Sequence, residues 1–268
     1  MNLIPSNTRL SWRSSMRALA VAAVAILALA APVLAQEAGT LPNIVLLHGA
    51  WDNGAGWTGV IERLQAEGYN VTAPQLPLST LDANVARARA VLNAQTGPTI
   101  LVGHSFGGQV MTALGTDAPN VVGLVYVAAF GLDGGETVNG LLAQGPAAPW
   151  QANLHPDADG FAWMDIEGYT TYFMPDVDPV QAAVSHATQN PLHLGSLEES
   201  FETAAWHTLP TWYLVTLNDQ IIPAQAQHFM AERMGATVEE TESEHVVMAS
   251  HPDIVADFII SATATAGS

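Results

Sequence analysis

The segment that most constrains the fold is Gly103-His104-Ser105-Phe106-Gly107, which follows a short apolar run and opens a helical stretch. The apolar run, Thr99 to Val102, has the length and composition of a strand buried on both faces. Glycines two residues before and after the serine suit a sharp turn, because a glycine has no Cβ to collide with the backbone crossing beside it. The segment therefore predicts a strand, a strained turn and a helix in immediate succession, with the Ser105 hydroxyl held clear of the sheet.

The same alternation of short apolar runs and amphipathic segments continues along the chain. Strands are predicted at 43–47, 70–73, 99–102, 121–129, 211–217 and 237–241. Helical spacing of apolar residues, or helix start and stop signals, mark segments near 60–64, 85–92, 107 onward, 224–234 and 252–260. This order predicts an α/β fold with a mostly parallel sheet and helices on both faces. Ligands of such sheets bind beyond the carboxyl ends of the strands.

The alternation breaks between about residues 131 and 206, where Pro, Gly, Asp and scattered aromatic residues replace it. We expect a mainly helical cap inserted over one end of the sheet. Large apolar side chains are frequent in and beside this insertion: Trp150, Phe161, Trp163, Tyr169, Tyr172, Phe173, Met174 and Trp206. We expect more than half of them to pack the insertion onto the sheet and the others to wall a pocket above Ser105.

The N-terminal 35 residues have the features of a secretory signal peptide. Arg9, Arg13 and Arg17 precede an apolar run from residue 18 to 30, and Ala35 supplies a small residue before Gln36. A membrane anchor is the alternative, but the run is short for a span of roughly 20 residues. We therefore expect cleavage after Ala35, a mature domain over residues 36–268, and export to the periplasm or the medium.

Composition excludes several classes of partner and chemistry. Removal of the N-terminal segment would leave 4 basic and 25 acidic residues, a net charge of −21, and the chain has no Lys. Such a surface repels nucleic acid and anionic membranes, so neither is an expected partner of the mature domain. The absence of Cys excludes disulfides, cysteine-based zinc sites and a cysteine nucleophile. No metal and no cofactor are expected.

A serine hydroxyl is a weak nucleophile and needs a base, which an acid then orients. On a strand–turn–helix scaffold of this kind the chain order is serine, acid, histidine. His245 fits this order because it lies between the last predicted strand and the last helix; His251, next to Pro252, is the competing histidine. Asp219 closes the strand predicted at 211–217, although an aspartate there is also common in ordinary turns. We expect a triad of Ser105, Asp219 and His245.

A tetrahedral oxyanion needs N–H donors that are already in place. One donor is expected to be the backbone of Phe106, directly after the nucleophile. The other should come from the loop after the first strand, with Ala50 as the first choice and Trp51 as the alternative. We expect His48 to hold that loop by hydrogen bonds and to take no part in the chemistry.

Several motifs together resemble one bacterial group of α/β-hydrolases that is similar to the plant methylesterase and hydroxynitrile lyase family. They are His48-Gly49-Ala50-Trp51 with Gly54 and Trp57, Gln75-Leu76-Pro77-Leu78, the segment 103–108, and Tyr126-Val127-Ala128-Ala129-Phe130. The resemblance covers the chain from Pro42 to about Ile260 and is loosest in the insertion. It implies carboxylesterase-type chemistry without a cofactor, and it supports the roles given above to Ser105, Asp219, His245, Ala50 and Phe106.

Three functions remain open at this point: an esterase acting on small or aromatic esters, a lyase on the same scaffold, and a binding protein that has lost catalysis. The complete set of serine, aspartate and histidine argues against the third. Lyases of the family carry Lys directly after the histidine and Thr after the first His, where this chain has Val246 and Gly49. A dehalogenase or epoxide hydrolase would need Asp in place of Ser105. Of these hypotheses, we favour hydrolysis of a small-molecule ester.

Overall fold

The structure is a computed structural model that describes residues 41–266. The predicted signal peptide and its cleavage after Ala35 lie outside the described residues. Within residues 41–266, none of the helices combines the length and apolar character needed to cross a bilayer.

A six-stranded parallel sheet forms the centre of the described domain. The strands of this part of the chain are β1 (Asn43–Leu47), β2 (Val71–Thr72), β3 (Thr99–Ser105), β4 (Val121–Ala129), β5 (Leu154–Pro156), β6 (Phe161–Met164), β7 (Leu192–His193), β8 (Thr211–Thr216) and β9 (Thr237–Thr241). The central sheet has the order β2-β1-β3-β4-β8-β9, and each neighbouring pair in it is parallel. Parallel pairing brings the carboxyl ends of these strands to one edge of the sheet.

Helices cover both faces of this sheet. In the described part of the chain they are α1 (Thr58–Ala66), α2 (Leu81–Leu92), α3 (Phe106–Gly115), α4 (Val138–Leu142), α5 (Ile166–Gly168), α6 (Pro179–Ala187), α7 (Ala224–Met234), α8 (Val247–Ser250) and α9 (Pro252–Thr265). Helix α1 packs on α8 and α9, while α2 packs on α3. Every residue of β1 and β3 is buried, as expected for strands covered on both sides. The α/β architecture predicted from the alternation is confirmed.

The segment between β4 and β8 forms the predicted cap. It contains α4, α5, α6, a π-helical turn over Tyr169–Phe173 and short 3-10 helices. It also contains a small antiparallel sheet in the order β5-β6-β7, which the sequence pattern does not indicate. These strands are two to four residues long, too short for apolar alternation to distinguish them from loops.

Candidate active site

Ser105 lies at the junction of β3 and α3 in a strained backbone conformation. Its φ and ψ angles are 52° and −124°, and α3 begins at the next residue. A residue other than glycine in such a region costs on the order of 1–3 kcal/mol and persists only where its surroundings hold it. Here the Phe130 N–H donates to the Ser105 carbonyl at 3.0 Å, beside a register shift between β3 and β4. The strained turn expected at this serine is therefore present.

Two glycines make this turn possible by their lack of a side chain. A Cβ on Gly107 would lie 2.3 Å from the carbonyl oxygen of Leu47, so α3 could not approach β1 as it does. A Cβ on Gly49 would lie 2.7 Å from the Cβ of Ser105. The loop after β1 thus runs directly against Ser105, and only glycine allows that approach.

His245 and Asp219 form a buried pair at the same edge of the sheet. The distance from His245 Nδ1 to Asp219 Oδ2 is 2.8 Å, and both side chains are fully buried. The backbone N–H groups of Ile221 and Ile222 donate to Asp219 Oδ1, while Thr216 Oγ1 and Gln227 Nε2 donate to Oδ2. This set of donors fixes the carboxylate, which in turn fixes the orientation of the imidazole ring.

The second ring nitrogen of His245, Nε2, is buried and has no hydrogen-bond partner among the described residues. His104, next to Ser105 in sequence, connects the two parts of the site: its Nε2 lies 3.0 Å from the His245 carbonyl oxygen, and the two rings are 4.7 Å apart. The hydrogen bonds among residues 41–266 do not include one between Ser105 Oγ and His245 Nε2. Such bonds are often long in enzymes without substrate and tighten when the substrate binds.

The competing histidine, His251, has different partners. Its Nδ1 lies 3.3 Å from Ser243 Oγ and 3.8 Å from Asp176 Oδ2. Asp176 belongs to the cap, and its Oδ2 also accepts from Ser243 Oγ at 3.0 Å and from the Glu244 N–H at 3.3 Å. Asp219 therefore pairs with His245, whereas the cap aspartate anchors the two residues that precede His245.

The loop after β1 completes a small pocket around Ser105. Ala50, Trp51 and Phe106 line it together with Ser105. Phe106 is the first residue of α3, where a backbone N–H has no acceptor within the helix. Trp51 has a positive φ of 57°, so this loop also turns sharply. Both predicted oxyanion donors thus belong to residues that border the serine.

His48 holds this loop in place, as the sequence predicts. Its Nε2 accepts from the Leu76 N–H at 2.9 Å, and its Nδ1 lies 2.9 Å from the Gly49 carbonyl oxygen. Burial lowers the pKa of His48 to about 4, and burial lowers the pKa of His104 well below its ordinary value. Both imidazole rings are therefore neutral near pH 7, and neither adds a positive charge to the site.

Asp52 is a buried carboxyl beside the site that the sequence pattern does not reveal. It is 2% exposed, and its Oδ2 has no hydrogen-bond partner in the described part of the chain. Burial raises its pKa to about 7, against the opposing effects of the Asn53 backbone and the charge of His245. An acid in a loop between Trp51 and Asn53 has no periodic signal of burial, so only the packing reveals it.

Cap side chains close the pocket above Ser105. Val138, Leu142, Trp150 and Leu197 line it, and the space left is about 20 Å³. Of the large cap residues singled out in the sequence, Trp150 lines the pocket and Phe173 packs on His245 with ring centres 5.5 Å apart. Of the others, Tyr169, Met174 and Trp206 are buried, whereas Trp163 is exposed to solvent and fills neither expected role. No group of three or more His, Asp or Glu within residues 41–266 is arranged to hold a metal ion.

Comparisons with known proteins agree with this architecture. A family model described as "Alpha/beta hydrolase family" matches residues 44–258. A pyrethroid hydrolase of Sphingobium wenxiniae is 27% identical in an alignment covering 82% of this chain and 87% of that protein. Methylesterase 1 of Arabidopsis thaliana is 22% identical over 81% of this chain and 94% of its own. A crystal structure of a pyrethroid hydrolase superposes with a TM-score of 0.76 at 24% identity, over 85% of this chain and all of that one.

Proposed function

The chain belongs to the alpha/beta hydrolase family, and on that premise we propose that it hydrolyses small or aromatic carboxylic esters through an acyl-enzyme on Ser105. The observation that carries the proposal is the strained Ser105 at the β3–α3 junction, beside a buried His245 whose Nδ1 is held by Asp219 and whose Nε2 is unpartnered. Two relatives named as a pyrethroid hydrolase and a methylesterase support hydrolysis of an ester.

In the proposed reaction, Ser105 Oγ attacks the ester carbonyl carbon while His245 Nε2 takes the hydroxyl proton. Asp219 stabilises the imidazolium that forms, because it accepts the Nδ1–H bond in a buried site. The backbone N–H groups of Ala50 and Phe106 bind the oxyanion of the tetrahedral intermediate. His245 then gives its proton to the leaving alcohol. A water molecule, deprotonated by the same nitrogen, attacks the acyl-enzyme and releases the acid.

The geometry around Gly49 favours hydrolysis over a lyase reaction on this scaffold. A threonine there, as in the lyases that the chain resembles, would bring its Cβ within 2.7 Å of the Ser105 Cβ and push the nucleophile away. The residue after His245 is Val246, which is fully buried, so no cation stands there to stabilise cyanide. The strained backbone at Ser105 lowers the stability of the fold and holds the hydroxyl clear of the sheet. A binding protein without catalytic activity would not need that strain.

Replacement of Ser105 by Ala tests the proposed function. Ester turnover should fall by about 10⁴ or more, since loss of a triad member commonly costs that much, while the circular dichroism spectrum stays unchanged. A fluorophosphonate probe should label wild type at Ser105 alone. Near-normal activity in Ser105→Ala would refute the proposal. Mandelonitrile cleavage faster than p-nitrophenyl acetate hydrolysis, and lost in Ser105→Ala, would establish the lyase instead.

We further propose that residues 1–35 are a signal peptide and that the mature domain works in the periplasm or the medium. This rests on the basic, apolar and small-residue order of the N-terminal segment.

A further inference from the structure

A groove of about 700 Å³ lies beside the pocket that contains Ser105. It is bordered by the end of α4, the exposed segment 143–147 with Ala148, residues 221–223 and the first turns of α7. Its volume is within the range of about 300–1,000 Å³ that is usual for small-molecule sites. Phe229 stands on its border and is 49% exposed, so its ring is accessible to a ligand in the groove.

The pocket at Ser105 is too small for any ester. Its 20 Å³ is close to the space of a single water molecule. A substrate that reaches Ser105 must therefore extend into neighbouring space or move a wall. The adjoining groove has enough volume for the remainder of an ester.

Two side chains border both cavities, Leu142 and Ile221. Ile221 is held in place, because it is 2% exposed and its backbone N–H donates to Asp219 Oδ1 at 2.8 Å. Leu142 is only half-buried and is the last residue of α4, a helix of five residues followed by the exposed segment 143–147. Rotation of the Leu142 side chain would join the two cavities without disturbing the Asp219–His245 pair.

The side chains that line the groove indicate which ligand groups it can bind. Among the described residues, those that line it are all uncharged, although the chain carries 25 acidic residues and a net charge of −18. Its polar members are amides, Asn139, Gln144, Gln151 and Gln225, and most of the others are aliphatic, with Phe229 the aromatic member. The Arg233 guanidinium lies 5.1 Å from the centre of the Phe229 ring, but it is paired with Glu136 at 2.6 Å and does not line the groove. The lining therefore offers no cation to a carboxylate or phosphate, whereas an uncharged apolar group would be well accommodated.

We propose that this groove binds an elongated, uncharged apolar substituent of the substrate ester, and that Leu142 is the gate between the groove and Ser105. The proposal rests on the ester hydrolysis proposed above and names its substrate class. The substituent belongs either to the acyl group or to the alcohol, and the two are separated by experiment: p-nitrophenyl octanoate extends the acyl side, and octyl acetate extends the alcohol side.

The test measures kcat/KM for each long ester relative to p-nitrophenyl acetate in wild type and in groove variants. Ala147→Trp fills the groove from the exposed segment, and Ala226→Trp fills it from α7. Each should lower the ratio for at least one long ester about tenfold, the effect of losing the burial of two methylene groups. Leu142→Ala should raise the same ratio several-fold. Ala183→Trp, at an exposed position of α6 outside the groove, is the matched control and should behave as wild type.

Binding supplies a readout independent of turnover. Calorimetric titration of Ser105→Ala with ethyl octanoate and with octyl acetate should show binding of at least one of them that weakens about tenfold when Ala147→Trp is added. Unchanged ratios for both long esters in both groove variants, or no turnover of either long ester by a wild type that hydrolyses the acetate, would overturn the groove assignment. Failure of wild type on every ester would refute the proposed function instead, and the binding measurement would then decide the groove by itself.

Discussion

At the scale of single residues, burial determines which titratable side chains near Ser105 carry a charge. His48 and His104 are buried and neutral near pH 7, and Asp52 has its pKa raised to about 7 by burial. Of the three histidines that are buried within residues 41–266, only His245 has a carboxylate, Asp219, bonded to one ring nitrogen and an unpartnered second nitrogen. Of the histidines around Ser105, this is the one equipped to accept a proton and to remain stable once charged.

Replacement of Asp219 by Asn tests that assignment through the rate. Asp219→Asn should lower kcat by about 10⁴, because the imidazolium that forms in the reaction loses its anionic partner. The measurement is kcat and kcat/KM for a p-nitrophenyl ester, with exposed Asp253→Asn as the matched control. An unchanged rate in Asp219→Asn would remove Asp219 from the triad.

Replacement of Asp52 by Asn should stabilise the protein in a pH-dependent manner. The Asp52 carboxyl ionises near pH 3.8 when exposed and near 7 in the folded chain, so stability falls as pH rises between these values. Above pH 7 the cost reaches about 4 kcal/mol, while below pH 3.8 it vanishes. Urea unfolding of both proteins should therefore show a larger gain for the variant at pH 8 than at pH 5. An equal difference at the two pH values would mean that Asp52 is not buried as described.

At the scale of elements, the catalytic residues stand on rigid parts and are held together from the cap. Ser105 ends β3, Asp219 follows β8 and His245 follows β9, all at one edge of the parallel sheet. The His245 loop has no regular structure of its own between β9 and α8. It is held by Asp176 of the cap, which accepts from the Ser243 hydroxyl and the Glu244 N–H. The cap therefore both covers the pocket and steadies the base.

Removal of this anchor should loosen the His245 loop without unfolding the domain. Asp176→Ala removes the acceptor of the Glu244 N–H and one partner of the Ser243 hydroxyl, which keeps its contact with His251. Hydrogen bonds of this kind contribute about 1 kcal/mol each. The Glu244 amide should exchange its hydrogen about tenfold faster, and kcat/KM should fall by a similar factor. Asp159→Ala, at an exposed position in the same insertion, should change neither quantity. Unaltered exchange at Glu244 in Asp176→Ala would show that the cap does not hold the loop.

At the scale of the whole molecule, the acidic surface and the uncharged lining of the cavities both favour a neutral substrate. A net charge of −18 favours neutral substrates over anionic ones and repels the carboxylate product once it is released. The groove and the Ser105 pocket are both lined by uncharged side chains. A neutral ester is therefore the ligand that best suits both the surface and the interior.

Export should remove the N-terminal segment after Ala35. The N-terminal arginines, the apolar run and the small residue at the cut are what a signal peptidase requires. Mass spectrometry of secreted protein should give Gln36, or its cyclised form, as the first residue. Recovery of protein with an intact Met1 from a membrane fraction would show instead that the N-terminal segment is retained as a membrane anchor.

The sequence alone determined the α/β architecture, the strained turn at Ser105 and the edge of the sheet where acid and base should meet. These follow from local patterns: apolar runs, glycines around one serine, and parallel strands whose carboxyl ends share an edge. It also ranked His245 over His251 by chain order, and the hydrogen bond to Asp219 agrees with that ranking.

Only the tertiary structure decided the features that depend on contacts between residues far apart in sequence. The burial of Asp52, the three short cap strands, the anchoring of the His245 loop by Asp176 and the groove beside Leu142 leave no periodic signal in the chain. Each of these depends on which surfaces pack together and how much space they leave, because burial and cavity volume belong to the packed arrangement and not to any local run of residues.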